Sequence, residues 1–266
     1  MNSLRVGLIL TGVFVLAALV SFVWTPYDVA LIAVQDRFLP SSGAHLLGTD
    51  QLGRDVVSLL MAGARTSLIV ATLSTVGALI IGTALGLWAA SAGGIIDALI
   101  MRVCDVTFAF PALVLAILIG AVWGAGLYTA VLAIGIFNVP VFARLARAQA
   151  LKIWPEPYVL AAQLSGKGRA RISLEHILPQ LTGLLVTQSL IQMSFSVAAE
   201  AGLSYVGLGI VPPETSWGRM IAESQTLILQ APLQILVPCV AIVLLVFGLN
   251  RLSEGLQEKR RNGRVS

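Results

Sequence analysis

The residues of this chain that could carry chemistry are few and far apart. His45 and His176 are its only histidines, and no histidine–carboxylate cluster of the metalloprotease kind surrounds either. A lone histidine is weak ground for a metal ligand, so His45 is not assigned to one. Cys104 and Cys239 both lie inside apolar segments and read as buried small hydrophobes rather than a disulfide. Ser165-Gly166-Lys167 is the fragment nearest to a phosphate-binding loop, but Ala161 stands where its first glycine should be. Two carboxylates, Asp105 and Glu200, sit in or near apolar stretches, where an ionisable residue can serve as a proton or ion relay. Helix ends are the other reading for both. No nucleophile–base or metal constellation is present, so the sequence is not that of an enzyme and holds no cofactor of its own.

The elements that must position these residues are set by composition. Of 266 residues, 57% are apolar and 11% charged, against roughly 25% charged in an ordinary soluble domain. A run of about 20 apolar residues spans a bilayer as a helix, and long uncharged stretches here follow one another. The alternating segments of a β-barrel are missing. The prediction is an all-α polytopic membrane protein with six spanning helices near 4–24, 67–91, 97–123, 126–148, 177–203 and 233–252. Pro111 and Pro140 are expected as kinks whose freed carbonyls find partners on neighbouring helices. The first segment, from Gly7 to Trp24 behind Arg5, has no small-x-small cleavage site before Thr25-Pro26 and reads as a retained anchor.

The net charge of +4 would suit a nucleic-acid binder, but the placement of the charges argues for topology instead. With the N-terminus inside, thirteen Lys and Arg fall on cytoplasmic ends and loops: Arg5, Arg102, Arg144, Arg147, Lys152, Lys167, Arg169, Arg171, Arg251, Lys259, Arg260, Arg261 and Arg264. Four remain outside: Arg37, Arg54, Arg65 and Arg219. By the positive-inside rule both termini are cytoplasmic. The expected organisation is an anchor helix and periplasmic segment over 1–66, a transmembrane core over 67–252 and a frayed charged tail over 253–266.

The basic interior segment 149–176 is the most informative. It predicts a short helix from Glu156 to Leu164 with Pro155 at its start, a sharp turn at Gly166, and a second piece leading into the next span. A short helix lying crosswise on a membrane face can pass a rigid-body push into the spanning helices. Around it, Tyr158, Ala161, Ala162, Gly166, Leu178 and Pro179 fit a definite pattern. The segment resembles the coupling motif of ABC importer permeases, E-A-A, three residues, G, nine residues, I-x-L-P, with Leu160 in place of the glutamate and His176 in place of the isoleucine.

Three more motifs narrow the resemblance. Leu47-Gly48-Thr49-Asp50-Gln51-Leu52-Gly53-Arg54-Asp55, followed by Gly63-Ala64-Arg65-Thr66-Ser67-Leu68, is similar to the segment that leads into the core of the dipeptide/oligopeptide/nickel permeases. Asp105 through Phe110-Pro111 fits that family's third helix. Glu200-Ala201-Gly202-Leu203-Ser204-Tyr205-Val206-Gly207-Leu208-Gly209, with Pro212-Pro213 and Ser216-Trp217-Gly218, fits the segment after its fifth. The short first outer loop is that of the second permease type.

The resemblance implies a type I ABC importer permease fold in a bacterial inner membrane. It implies as partners a homologous second permease, two ATPase subunits or domains holding ATP and Mg, and an extracytoplasmic substrate-binding protein. Peptides stand first as substrate and nickel or a metal chelate second; an ion-gradient-driven carrier is the rival class. Read physically, Leu47, Gly48, Thr49, Asp50, Gly53, Arg54 and Asp55 form a contact for the binding protein, a brace for the outer gate, or a self-capping turn in which Asp50 and Asp55 pair with Arg54 or cap a helix. Gly202, Gly207 and Gly209 serve either close packing or a hinge. Glu200 is predicted to face protein or water, because a carboxylate against lipid is costly.

Overall fold

The structure, a computed structural model, describes residues 2–262, so Arg264 lies outside the described residues. Ten helices carry the fold: α1 (Asn2–Val20), α2 (Val56–Ala92), α3 (Gly94–Ala109), α4 (Ala112–Trp123), α5 (Leu127–Ile153), α6 (Pro157–Leu164), α7 (Arg169–Ile172), α8 (Leu178–Tyr205), α9 (Trp217–Ser224) and α10 (Pro232–Asn262). Five of them, α1, α2, α5, α8 and α10, are long and apolar enough to cross a membrane. The bent pair α3–α4 makes six.

That pair corrects the expectation of one helix over 97–123. Its halves meet at 88°, a break rather than a kink. Pro111 lacks an N–H, and its ring forces Phe110 out of the helical region into an extended conformation, φ −94° and ψ 118°. Pro140 behaves as expected for a tolerated proline, since α5 runs through it.

Three other boundaries differ. The second span starts at Val56, not near 67, because Asp55 accepts a hydrogen bond from Ser58 N at 2.8 Å and caps the helix there. Hydropathy missed these first turns because Ser58, Arg65, Thr66 and Ser67 dilute them. Residues 66 and 67 thus lie inside α2. The short helix of the basic interior segment starts at Pro157, with Glu156 at its cap position, so the proline in its first turn is Pro157 and not Pro155. Within the described residues the stretch after Arg251 is helical rather than frayed: α10 continues to Asn262. Ser253 Oγ donates to Thr187 O at 3.3 Å, Gly255 lies against Leu4, and the Arg260 guanidinium lies over Gly183. Composition showed the charges of this tail but not the neighbours that hold it helical.

α2 is the hub, packed on α5, α8 and α1. A Cβ at Gly82 or Gly86 would collide with the α5 backbone at Val139 and Ala143, so these small residues set how closely the two spans approach. Inside the membrane layer, where water does not compete, polar side chains pair across the helices. Asn138 donates to Ser196 Oγ at 3.0 Å, Gln192 donates to Asn138 Oδ1 at 3.1 Å, and Thr75 lies 3.2 Å from Ser196. This network joins α5, α8 and α2; such bonds contribute about 0.6 kcal/mol each on average.

Candidate functional site

At the end where α2 begins, the 47–55 segment folds on itself. Asp50 Oδ1 accepts from Leu52 N and Arg54 N, both at 2.8 Å, while Arg54 Nε donates to Asp50 Oδ2 at 2.7 Å. The same guanidinium reaches Glu223 of α9 at 2.8 Å. Burial pulls the Arg54 pKa down, but Asp50 and Glu223 outweigh it and hold the group above its ordinary range. Asp55 caps α2 and also meets His45 Nδ1 at 3.0 Å; the His45 ring lies 4.5 Å from that of Tyr27. Gly48 O accepts from Val56 N at 3.1 Å, and Thr49 O accepts from Gln234 of α10 at 3.0 Å. Leu47 packs against the cluster around Trp217, and the position of Gly53, at φ +78°, lies against Ala33. Both self-capping possibilities occur together: Asp50 pairs with Arg54, and Asp55 caps the helix.

Beneath this turn sits Glu200, fully buried. Its carboxylate accepts from Ser67 Oγ at 2.7 Å and Ser204 Oγ at 2.6 Å, joining α8 to α2. Ser204 Oγ in turn accepts from Ile210 N at 3.0 Å. Glu200 therefore faces protein. The three predicted glycines have separate surroundings. Gly202 faces open space, and Gly209 lies against Ser204. Gly207, at φ +85°, ends α8: Gly207 N donates to Ser204 O at 3.1 Å and Leu208 N to Leu203 O at 2.9 Å, a Schellman cap.

The opposite end carries the predicted coupling residues. α6 turns Val159 and Ala162 into a cluster with Ala150, Ile172 and Ile177, with Leu178 packed beside them. Its other face carries Tyr158, Ala161 and two apolar side chains left open, Leu160 at 47% and Leu164 at 90% exposure. Tyr158 accepts a hydrogen bond from Gln180 of α8, and Pro179 occupies the first turn of α8. Gly166, at φ +79°, ends α6 in the same Schellman pattern, with Gly166 N on Gln163 O at 2.9 Å and Lys167 N on Ala162 O at 3.2 Å. Lys167 then meets Glu175 at 2.7 Å and His176 at 3.1 Å. Arg169 donates to Ser91 O at 2.6 Å, at the last turn of α2, where a cation is favoured. α6 and the chain after it are thus joined to α2, α5 and α8 by packing and by these bonds.

The "binding-protein-dependent transport system inner membrane component" family model matches residues 82–261, which span both the α6 segment and Glu200. The chain belongs to this family. Among relatives of the permease, the dipeptide transport system permease protein DppC of Alkalihalophilus pseudofirmus is 38% identical, over 95% of this chain and 83% of that one. The glutathione transport system permease protein GsiD of Pectobacterium atrosepticum is 38% identical over 93% and 84%. The nickel transport system permease protein NikC of Escherichia coli is 34% identical over 96% and 92%. A chain from inward-facing conformations of the MetNI methionine ABC transporter superposes with a TM-score of 0.59 at 18% identity, covering 74% of the permease and 96% of that chain; it shares the fold. The permease is thus a multi-pass inner-membrane transport subunit of the ABC importer class.

Sequence reading missed two features of the permease. The Asn138–Gln192–Ser196–Thr75 network gave no motif, because isolated polar residues in apolar spans look like noise until the helices are aligned. The second is a face shared by α3, α5 and α8. Phe108, Phe137 and Phe195 stand in a row with ring centroids 5.2 and 5.5 Å apart. Arg144 lies 4.7 Å over Phe108 and pairs with Asp105 at 2.8 Å. Both charged side chains of the pair are exposed on the chain's surface, so Asp105 belongs to this face and not to the buried surroundings of Glu200. Asp97 and Arg147 pair bidentately one step along the same two helices.

Proposed function

We propose that the permease lines one translocation path together with a homologous second permease and is driven by two ATPase subunits or domains that hold ATP and Mg. The single observation that carries this reading is the two-faced α6, with Val159 and Ala162 packed inward and Leu160 and Leu164 open on the outside. A partner groove that covers those leucines would grip the helix whose inner face bears on three spans. Tyr158, Ala161, Ala162 and Gly166 shape that contact, with Leu178 and Pro179 carrying the motion into α8. An extracytoplasmic binding protein delivers substrate to the 47–55 turn, and both termini lie in the cytoplasm, in keeping with the distribution of Lys and Arg. In this scheme α1 and the chain up to Asp55 are an addition to the transmembrane core that begins with α2, and the charged end of α10 is cytoplasmic.

Di- and oligopeptides are the proposed substrates, since relatives named for dipeptide and glutathione transport match over nearly the whole chain. Nickel or a metal chelate is the second reading, favoured by the equally long match to a nickel permease. The test is co-expression with the neighbouring genes, purification in mild detergent and assay of ATPase activity and of uptake into proteoliposomes. Recovery of a second permease with ATP-hydrolysing subunits, and ATP-dependent uptake of labelled dipeptide, is the expected result. Uptake that survives ATP depletion but collapses with the ion gradient would overturn it, and ATP-dependent uptake of nickel alone would move the substrate to the second reading.

A further inference from the structure

Two cavities meet at one arginine on the side of the permease that carries α1. The first is an apolar groove of about 290 Å³ between α1, α2 and α8, walled by Val15, Leu19, Phe22, Leu68, Thr72 and Met193. The second, about 110 Å³, lies under the chain that precedes α9 and is walled by Arg54, Glu214 and Thr215 among others. Arg65 lines both.

The position of Arg65 relative to the bilayer follows from α1. Nineteen helical residues reach roughly 28 Å, about the thickness of the hydrocarbon layer, so the end of α1 marks a membrane boundary. Arg65 donates to Ser21 O at 3.1 Å and lies 5.3 Å over the Phe22 ring, level with that end and with the aromatic residues Phe22 and Trp24 that follow it. The apolar groove therefore runs inward from the boundary into one leaflet, and the polar cavity lies on its water side. No carboxylate pairs with Arg65 among the described residues. Glu214 is exposed and is likewise without an ion pair there. Thr215 Oγ1 is buried with no hydrogen-bond partner in the cavity wall.

We infer that this paired cleft holds one phospholipid with an amine headgroup, its acyl chain in the groove, its phosphate on Arg65 and its ammonium on Glu214. Arg54 in the same wall is already paired with Asp50 and Glu223, so the two charges left without an ion pair are Arg65 and Glu214. These complement a zwitterionic aminophospholipid in the order in which the lipid presents its charges, with the cation of the protein at the phosphate level and the anion on the water side. An anionic lipid satisfies Arg65 but meets repulsion at Glu214, and an uncharged diacylglycerol satisfies neither.

Native mass spectrometry of the purified permease complex, delipidated and then titrated with single lipids, tests this. Dioleoyl phosphatidylethanolamine is expected to add one tightly held molecule per permease. Dioleoyl phosphatidylglycerol should bind several-fold more weakly and dioleoylglycerol not measurably. Arg65→Gln should weaken phosphatidylethanolamine about tenfold, and Glu214→Gln should erase its advantage over phosphatidylglycerol. Thr72→Trp, which fills the groove from its lipid-facing wall, should lower binding of both lipids. Equal retention of phosphatidylethanolamine and dioleoylglycerol by the unaltered complex overturns the proposal without any variant having to fold. Unchanged binding by Arg65→Gln overturns it as well, and equal binding of the two phospholipids overturns the ammonium assignment.

Discussion

α8 and α6 end in the same backbone motif at opposite ends of the permease, and what surrounds the two ends differs. Past Gly207 the chain is locked: Gly209 lies on Ser204, Gly218 on the Ala201 backbone, and Trp217 is buried with its indole N–H on Leu60 O at 3.0 Å. Past Gly166 the chain is held on one side only, through Lys167 and Arg169, while the outward face of α6 is open. One local motif therefore serves two purposes. Where the chain that follows is packed back onto the body of the permease, the cap fixes a corner. Where half of the helix is left without cover, it presents a surface.

The largest expected effect breaks the locked end. Glu200→Ala removes the acceptor for Ser67 and Ser204 and leaves a cavity among buried hydroxyls. Hydrogen bonds to a charged group contribute about 1.5–3 kcal/mol each, so a loss of about 3 kcal/mol or more and a much lower yield of folded protein are expected. Glu200→Gln keeps an acceptor and most of the volume, and should retain both fold and uptake. An ion relay at this position predicts the reverse for Glu200→Gln, normal thermal stability with uptake abolished, and paired melting and uptake measurements decide between them.

Arg54→Ala should come next, at about 2 kcal/mol, because it leaves Asp50 and Glu223 part-buried without their shared cation. Thermal melting of the purified permease reads this loss. Equal loss in Arg54→Ala and in a double variant with Glu223→Ala would show that the two side chains act as one bond between the 47–55 turn and α9. Additive losses would separate them.

The two ends were not equally legible in the sequence. Gly166 could be placed because its turn, the flanking alanines and the Leu178-Pro179 pair recur at fixed spacing, and Asp50, Arg54 and Asp55 because short-range pairing is local. Desolvation alone puts Glu200 against protein or water without choosing between them; its partner Ser67 is 133 positions away and nothing local announces it. The proline announces a bend at Phe110-Pro111, but its right angle and the Phe108–Phe137–Phe195 row depend on how helices lie beside one another, which periodicity does not contain. The helical tail was misread for the same reason: charge density argued for fraying, while small residues at Gly183 and Gly255 accept Arg260 and Leu4.

Gly166→Val acts at the open end. A β-branched residue at φ +79° costs about 1–2 kcal/mol at that position, and no neighbour lies near enough to add a clash. The cost falls on the cap rather than on the spans, so the permease should insert and melt almost normally. With α6 displaced, ATP hydrolysis and uptake in proteoliposomes should separate by tenfold or more. Uptake that stays in proportion to hydrolysis would refute a coupling role for this helix.

The smallest effect on the permease itself is expected from Leu164→Ser. Leu164 is 90% exposed and touches none of the buried clusters, so its removal from the free chain should alter stability by less than about 0.5 kcal/mol. An apolar side chain held so far into water on the end of a packed helix has a use only when something covers it. Burying a leucine is favourable by about 1.5–3 kcal/mol, so its loss from a covered site weakens binding by roughly ten- to a hundredfold. Retention of the ATP-hydrolysing subunits through detergent washes reads that difference directly. Leu160→Ser, on the same face and less exposed, should show a weaker version of the same loss. Equal retention of those subunits by both variants would mean that the open face of α6 is not where they dock.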